Sequence, residues 1–516
     1  MGSIQFGSVQ PVSDLGELLP PDGQNRLDAA LERCRVGVDL DLRTPFYGDL
    51  DREEAAERLE AYIGESEFEE MRQINEKERG KLGTFSVVLP FTKRIEDVAA
   101  YWYQTFNPDP EAWRLAVSAV ASLIPRSSLR PVGFEEAFKM MPRDTSLGLP
   151  RLTRDRRFVG EYLDRARRLT SFEEIYPCVL YGRSSANGTP TPKQRVVWGF
   201  DHAETILGAR VLYPLLNTLK RQHGFSAWLG DSYVDEAMTE VLKLATSRGR
   251  RIYSMDYSEF DSSVGAELLE TVDEILASWF NEEGSNVVRL VGEIGVNVGL
   301  VTPDGVIYGR SGGIPSGSVL TGMRGSIANL LAGYYIGIRT DAPLLRYEVL
   351  GDDSVFVFDG ELEADDISEC AAELGLESNS EKQFISESSC HYLQRWHSVE
   401  YTKYDLNVGV RSPYRALNGH LGYERWRTGW SKWMDTIRRV MQAENCKHYP
   451  EFLAYVAFLR DGDQVLLDGY DPTEVAKLAG GAQGIRKVLS LSAYPFNVQR
   501  PENIGEFAVT QALREL

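Results

Sequence analysis

The sequence predicts an α+β protein assembled from several subdomains, and three observations carry that expectation. The chain has 516 residues, more than one hydrophobic core usually organises. Between about residues 250 and 400, short β-branched runs alternate with helical patterns. After about residue 405 the pattern turns mainly helical. With 43% hydrophobic and 26% charged residues, the composition excludes general disorder.

Residues 1 to about 90 alternate acidic, helix-like stretches with Pro/Gly punctuation such as Leu19-Pro-Pro-Asp-Gly23. A net charge of −20 argues against a polyanionic partner, but the charge is unevenly spread. From residue 143 to 195, eleven Lys/Arg stand against six Asp/Glu, whereas 359 to 381 holds nine acidic residues and no basic one. An acidic exterior around a basic channel satisfies both facts. Farther on, Trp426, Trp430, Trp433, Ile437, Val440 and Met441 recur at helical spacing, which predicts one amphipathic helix with this stripe in the core. Five scattered cysteines without CxxC pairing exclude a disulfide framework and a cysteine zinc site. The start lacks a basic-then-apolar leader, and the apolar run from Leu330 to Ile338 is too short to span a bilayer. The expectation is a soluble protein with no membrane partner.

Chemistry is concentrated in three segments. Arg251-Ile-Tyr-Ser-Met-Asp256 reads as a buried strand ending in a carboxylate, followed by Tyr257-Ser-Glu-Phe-Asp261. Arg346 to Phe358 reads as two apolar strands around the tight turn Gly351-Asp352-Asp353. Such a turn by itself is also an ordinary hairpin tip with solvated acids. Buried strands that each deliver an Asp are costly, however, unless a cation neutralises them. Hard carboxylate oxygens suit Mg²⁺, and a pair of such ions can activate an attacking 3′-oxygen and stabilise a leaving pyrophosphate. Between these segments, Ser311-Gly-Gly-Ile-Pro-Ser316-Gly317-Ser-Val-Leu-Thr321 reads as a loop opening a helix, whose N-terminal N–H groups favour anions. Thr321, Gly325 and Asn329 share one face of that helix. The face reads either as a sensor of a ribose 2′-hydroxyl or as a small-residue helix contact.

The order of these pieces resembles the palm motifs of viral RNA-dependent RNA polymerases. Asp256-x4-Asp261 is similar to motif A, Ser316-Gly-x3-Thr321-x7-Asn329 to motif B, and Gly351-Asp352-Asp353 to motif C. The text of motif B most resembles the partitivirus and picobirnavirus group of double-stranded RNA viruses. Glu373 to Lys382 resembles motif D, whose lysine implies a proton donor to pyrophosphate. Tyr392-Leu-Gln-Arg395 resembles motif E, implying that Arg395 helps place the primer. Lys193-Gln-Arg195 resembles motif F, implying contact with the incoming triphosphate, and Arg183 stands near it. Thr145-Ser146-Leu-Gly148-Leu-Pro150 resembles motif G, which guides template. One departure stands out. Many relatives carry the sugar-reading Asn where this chain has Gly325, and Asn329 lies one turn farther on. Asp261, with Ser316 or Thr321, is the other candidate for that role.

The resemblance implies a closed right hand of fingers, palm and thumb, with an antiparallel palm sheet and a largely helical thumb. Its expected divisions are 91–250 for fingers, 251–404 for palm with a fingers insertion near 270–310, 405–516 for thumb, and 1–90 as a bridge from fingers to thumb. It implies template-directed RNA synthesis from nucleoside triphosphates, with two Mg²⁺ on Asp256, Asp352 and Asp353 and Mn²⁺ as a substitute. Gly317 joins Ser316 and Thr321 in the nucleotide site. Implied partners are template and nascent RNA, nucleoside triphosphates and a viral capsid protein, in a virion or the host cytoplasm. Two other classes stay open: a reverse transcriptase, and a silent RNA-binding descendant of a polymerase. The Leu350-Gly turn and Asp261 argue against the first, and the complete set of acids against the second.

Overall fold

The apolar runs on either side of the acidic residues join in one antiparallel sheet. In the computed structural model of the chain, Ile252–Met255 lies between Phe384–Ser386 and Asp353–Phe358, and Leu344–Leu350 completes the order. All residues are described except 1–8, 17, 49, 103, 143–144, 310–311, 379, 381–382, 426–428 and 482–500. Both faces of the sheet are covered, which is why its central strands read as continuous apolar runs. Ile252, Val355 and Val357 pack on Val234 and Met238 of helix Asp231–Arg248. Tyr253, Phe356 and Phe358 face helix Thr321–Arg339, where a Cβ at Gly333 would lie 2.6 Å from the Phe356 ring.

Helix Thr321–Arg339 is buried for most of its length because helices Pro110–Ala121 and Ala266–Ser278 cover its other sides. Its Arg324 cannot reach water and instead meets Asp273, with Nε donating to Oδ1 at 2.9 Å and Nη2 donating to the Gly292 carbonyl at 3.2 Å. The two side chains are 1% and 8% exposed.

A second sheet gathers strands from distant parts of the chain, in the order Val9–Pro11, Val306–Tyr308, Leu300–Val301, Cys178–Ser185, Lys193–Gly199. The segment expected as an insertion near 270–310 thus ends on the sheet that carries Lys193 and Arg195, with Cys178 opposite Leu300 in a parallel pairing.

The N-terminal segment has two packing partners. Helix Pro21–Val36 lays Leu27 and Ala30 against Leu149, Val179 and Val301. Helix Arg52–Ile63, opened by a capping box of Asp51 and Glu54, packs instead on Phe452–Gly462. Phe46, Leu59 and Met71 enter the core shared by the C-terminal helices Pro413–Leu421, Lys432–Glu444, Phe452–Gly462 and Ala508–Glu515.

The tryptophan stripe is shorter than its spacing predicts. Gly429 takes φ +72° and the backbone stays extended through Ser431, so the helix begins at Lys432. Ile437, Val440 and Met441 are core, as expected, whereas Trp430 lies before the helix and donates from Nε1 to Asp435 Oδ1 at 2.8 Å. Trp426 is outside the described residues. All five cysteines are buried, and none is in a disulfide. Among the described residues, no helix is long and apolar enough to cross a membrane.

Removing one member of the Arg324–Asp273 pair strands the other charge. Asp273→Asn is therefore expected to lower stability by about 3–5 kcal/mol. Replacing both, as Asp273→Leu with Arg324→Met, should recover much of that loss. Urea unfolding followed by circular dichroism checks the pair of results.

Candidate active site

Strand register sets the acidic residues side by side. Leu350 pairs with Asp353, leaving Gly351 and Asp352 as a two-residue turn, and Gly351 takes φ +61° at the position that favours glycine. Met255 pairs with Ser354, so Asp256, the next residue, leaves its strand beside Asp353. The turn is held from beneath by helix Thr321–Arg339. Asn329 Nδ2 donates to the carbonyls of Gly351 and Asp352 at 3.0 and 2.9 Å, and its Oδ1 accepts from Ser354 Oγ at 3.0 Å. Ser326 Oγ accepts from the Gly351 N–H at 2.9 Å. Gly325 permits this approach, since a Cβ there would already lie 3.3 Å from Gly351 Cα.

This geometry corrects one expectation. Asn329 is fully buried, and its amide is committed to the turn, so it does not face a sugar. Thr321 and Gly325, two turns and one turn earlier on the helix, do line the cleft.

The carboxylates repel one another. Burial pushes Asp353 up, with Asp352 and Asp256 adding to the rise and Arg415 and Arg195 opposing it. Asp352 opens to the cleft yet is crowded on its other sides; that crowding and Asp256 raise it, against Arg195. Asp261 is raised to about 6 because its enclosure outweighs the hydrogen bond from Ser316 Oγ; Asp352 adds to the rise and Arg195 opposes it. Among the described residues, no three His, Cys, Asp or Glu side chains close around a point that could hold a metal by themselves. Asp256, Asp352 and Asp353 stand instead at the ends of two paired strands, on the walls of two adjoining clefts.

Asp261, Asp352 and Asp353 line a cleft of about 400 Å³ together with Arg183, Arg195, Thr321 and Arg415. An adjoining cleft of about 740 Å³ reaches Asp256 and shares Arg183, Arg195 and Arg415. Nine Lys/Arg line it against three acidic residues. Arg183 and Arg195 are cross-strand neighbours on the hairpin of Cys178–Ser185 and Lys193–Gly199. Lys193 stands at the same cleft and pairs with Glu259 at 2.7 Å. Lys77, Lys81, Arg411, Arg415, Arg425 and Arg438 were not anticipated, because they come from both ends of the chain. Conversely, much of the basic stretch from 143 to 195 is engaged elsewhere: Arg151 with Glu161, Arg157 with Asp155, Arg165 with Asp201, and Arg167 with Glu135.

The remaining sequence candidates divide. Ser316 joins Asp261, and its carbonyl accepts from the Trp198 N–H at 2.9 Å. Gly317 takes φ +134°, where a Cβ would meet the Trp198 carbonyl at 2.1 Å, so its role is conformational. Thr321 Oγ1 donates to the Pro315 carbonyl at 2.9 Å. Thr145 and Ser146 are exposed and Gly148 packs against Phe200, with none of the three lining these two clefts. Arg395 corrects a second expectation. It is 6% exposed and donates to Asp235 Oδ1 at 2.9 Å, which removes it from the surface a primer could touch. Lys382 lies outside the described residues.

Residues 118–412 match the family described as viral RNA-dependent RNA polymerase. The chain is 28% identical over 463 residues to the "Potential RNA-dependent RNA polymerase" of Human picobirnavirus, covering 86% of each sequence. It is 26% identical over 249 residues to the RNA-directed RNA polymerase of Cryptosporidium parvum virus 1, covering 45% of this chain and 47% of that one. The crystal structure of the RNA-dependent RNA polymerase of a human picobirnavirus superposes with a TM-score of 0.82 at 25% identity, over 95% of this chain and 96% of that one.

The close approach at Gly325 can be tested against a neighbour. Gly325→Val is expected to destabilise by about 1–3 kcal/mol through overpacking against the turn. Gly322→Ala, where a Cβ meets nothing within 4 Å, should be neutral or stabilising. Thermal melts of the two variants measure the contrast.

Proposed function

This chain belongs to the viral RNA-dependent RNA polymerase family, and we propose that Asp256, Asp352 and Asp353 are the residues on which its nucleotidyl transfer turns. It is an RNA-directed RNA polymerase with the right-hand fold of that family, an antiparallel palm sheet and a largely helical thumb. The observation that supports the assignment best is that two adjacent strands deliver carboxylates to clefts whose other walls are cationic. In this reading residues 91–250 are fingers, 251–404 palm with its insertion, 405–516 thumb, and 1–90 the bridge between fingers and thumb.

Polymerases of this family use divalent metal ions. The donor set here suits Mg²⁺: hard carboxylate oxygens that repel one another and face a cleft substrate phosphates could share. Asp256, Asp352 and Asp353 would hold two Mg²⁺, or Mn²⁺ in their place, which when bound activate the primer 3′-hydroxyl and stabilise the departing pyrophosphate.

The protein's own groups have distinct tasks. Arg195 and Arg183, with Lys193 beside them, offer fixed positive charge to the triphosphate. Asp261, oriented by Ser316, accepts a hydrogen bond from the ribose, with Thr321 on the same wall. Asn329 keeps the acidic turn from shifting as charge builds on it. The cations contributed by both ends of the chain neutralise RNA phosphates in the larger cleft. Lys382 is the proposed proton donor to pyrophosphate, and the exposed Thr145 and Ser146 are proposed to meet the template. Similarity to the picobirnavirus and Cryptosporidium virus proteins supports a further reading. In it the enzyme transcribes and replicates a double-stranded RNA genome in association with a capsid protein, in the virion or host cytoplasm.

A primer-extension assay with Mg²⁺ tests the assignment. Asp352→Ala is expected to lower the rate by about 10²–10³ or more, with RNA affinity kept within a few-fold; full activity would remove Asp352 from the metal site. Arg195→Ala is expected to raise the nucleotide KM about tenfold, and equal weakening toward template would mark it as a general RNA contact instead.

A further inference from the structure

We propose that Glu204 is a positioning residue for ribose selection: from the fingers side it holds the loop that presents Ser316 to Asp261. The proposal rests on the reading of Asp261 and Ser316 as the ribose contact.

Glu204 lies in the first turn of helix His202–Leu219 and is fully buried. Its Oε1 accepts from Ser318 Oγ at 2.7 Å and from the Val319 N–H at 3.4 Å, and its Oε2 accepts from Thr205 Oγ1 at 3.3 Å. The charged group acting on it is Asp201, a like charge that Arg165 already neutralises. A carboxylate sealed from water and held by hydroxyls and a backbone N–H, without a cation, is a costly way to fill a core position. An apolar side chain would leave the Ser318 hydroxyl and the Val319 N–H without this acceptor, so the oxygens themselves are what the site requires.

The helix is shaped to receive this loop. One turn beyond Glu204, a Cβ at Gly208 would lie 2.2 Å from Val319 Cγ1, so Glu204 and Gly208 form a socket for Ser318 and Val319. On the loop's other side, Gly317 packs against the Trp198 carbonyl, and the Trp198 N–H holds the Ser316 carbonyl. Residues 316–319 are thereby clamped between the end of the triphosphate hairpin and this helix. Freed of Glu204, the loop keeps one jaw of the clamp, and Ser316 loses its fixed bearing on Asp261.

Single-nucleotide addition on a primed RNA template, with kcat/KM compared for ATP and 2′-deoxy-ATP, tests the idea. Glu204→Leu and Ser318→Ala are each expected to cut the ribo-to-deoxyribo ratio about tenfold. Glu204→Gln keeps an oxygen acceptor in place and should hold the ratio within about twofold of wild type. Rescue by glutamine separates positioning of the loop from a general loss of packing. Ser318→Ala removes one hydroxyl and gives the answer even if a buried leucine compromises folding. Should Ser316→Ala lower the ratio while Glu204→Leu and Ser318→Ala leave it unchanged, the proposal is overturned. An unchanged ratio in Ser316→Ala would instead overturn the ribose reading beneath it.

Discussion

Like charge held at two neighbouring strand ends is the constraint that the surrounding structure answers. Asp256, Asp352 and Asp353 would drift apart on a mobile scaffold, because each raises the cost of ionising another. They are kept together by burial of both faces of their sheet and by the amide of Asn329 beneath the turn. The repulsion that remains faces outward, toward Arg195 and the cleft. Packing therefore supplies the stiffness, and the open side sets the carboxylates against cationic walls.

The same division explains what could be read from the linear sequence. Strands flanking Asp256 and Gly351 were legible because two-sided burial demands unbroken apolar runs, and the turn because glycine suits its first position. The Ser316–Thr321 loop was legible from its small residues. Asn329 was placed on the right helix face with Thr321, but the face curves beneath the turn at that point, and periodicity cannot tell the mouth of a cleft from its floor. Arg395 was misassigned because its partner, Asp235, lies 160 residues away and leaves no local mark. Glu204 carried no motif at all; its meaning comes from a loop more than a hundred positions later.

Charge shows the limit of local reading most plainly. Much of the basic stretch from 143 to 195 is turned to ion pairs away from the cleft, while Lys77, Lys81, Arg411 and Arg415, far from it in sequence, line the cleft. Electrostatic character belongs here to the tertiary arrangement, and a sliding average of sequence charge cannot reveal it.

Because the cleft's cations come from residues 77–81 and 411–438 as well as 183–195, its basic wall forms only when those segments pack together. The basic wall is thus a property of the folded chain and not of any one segment of it.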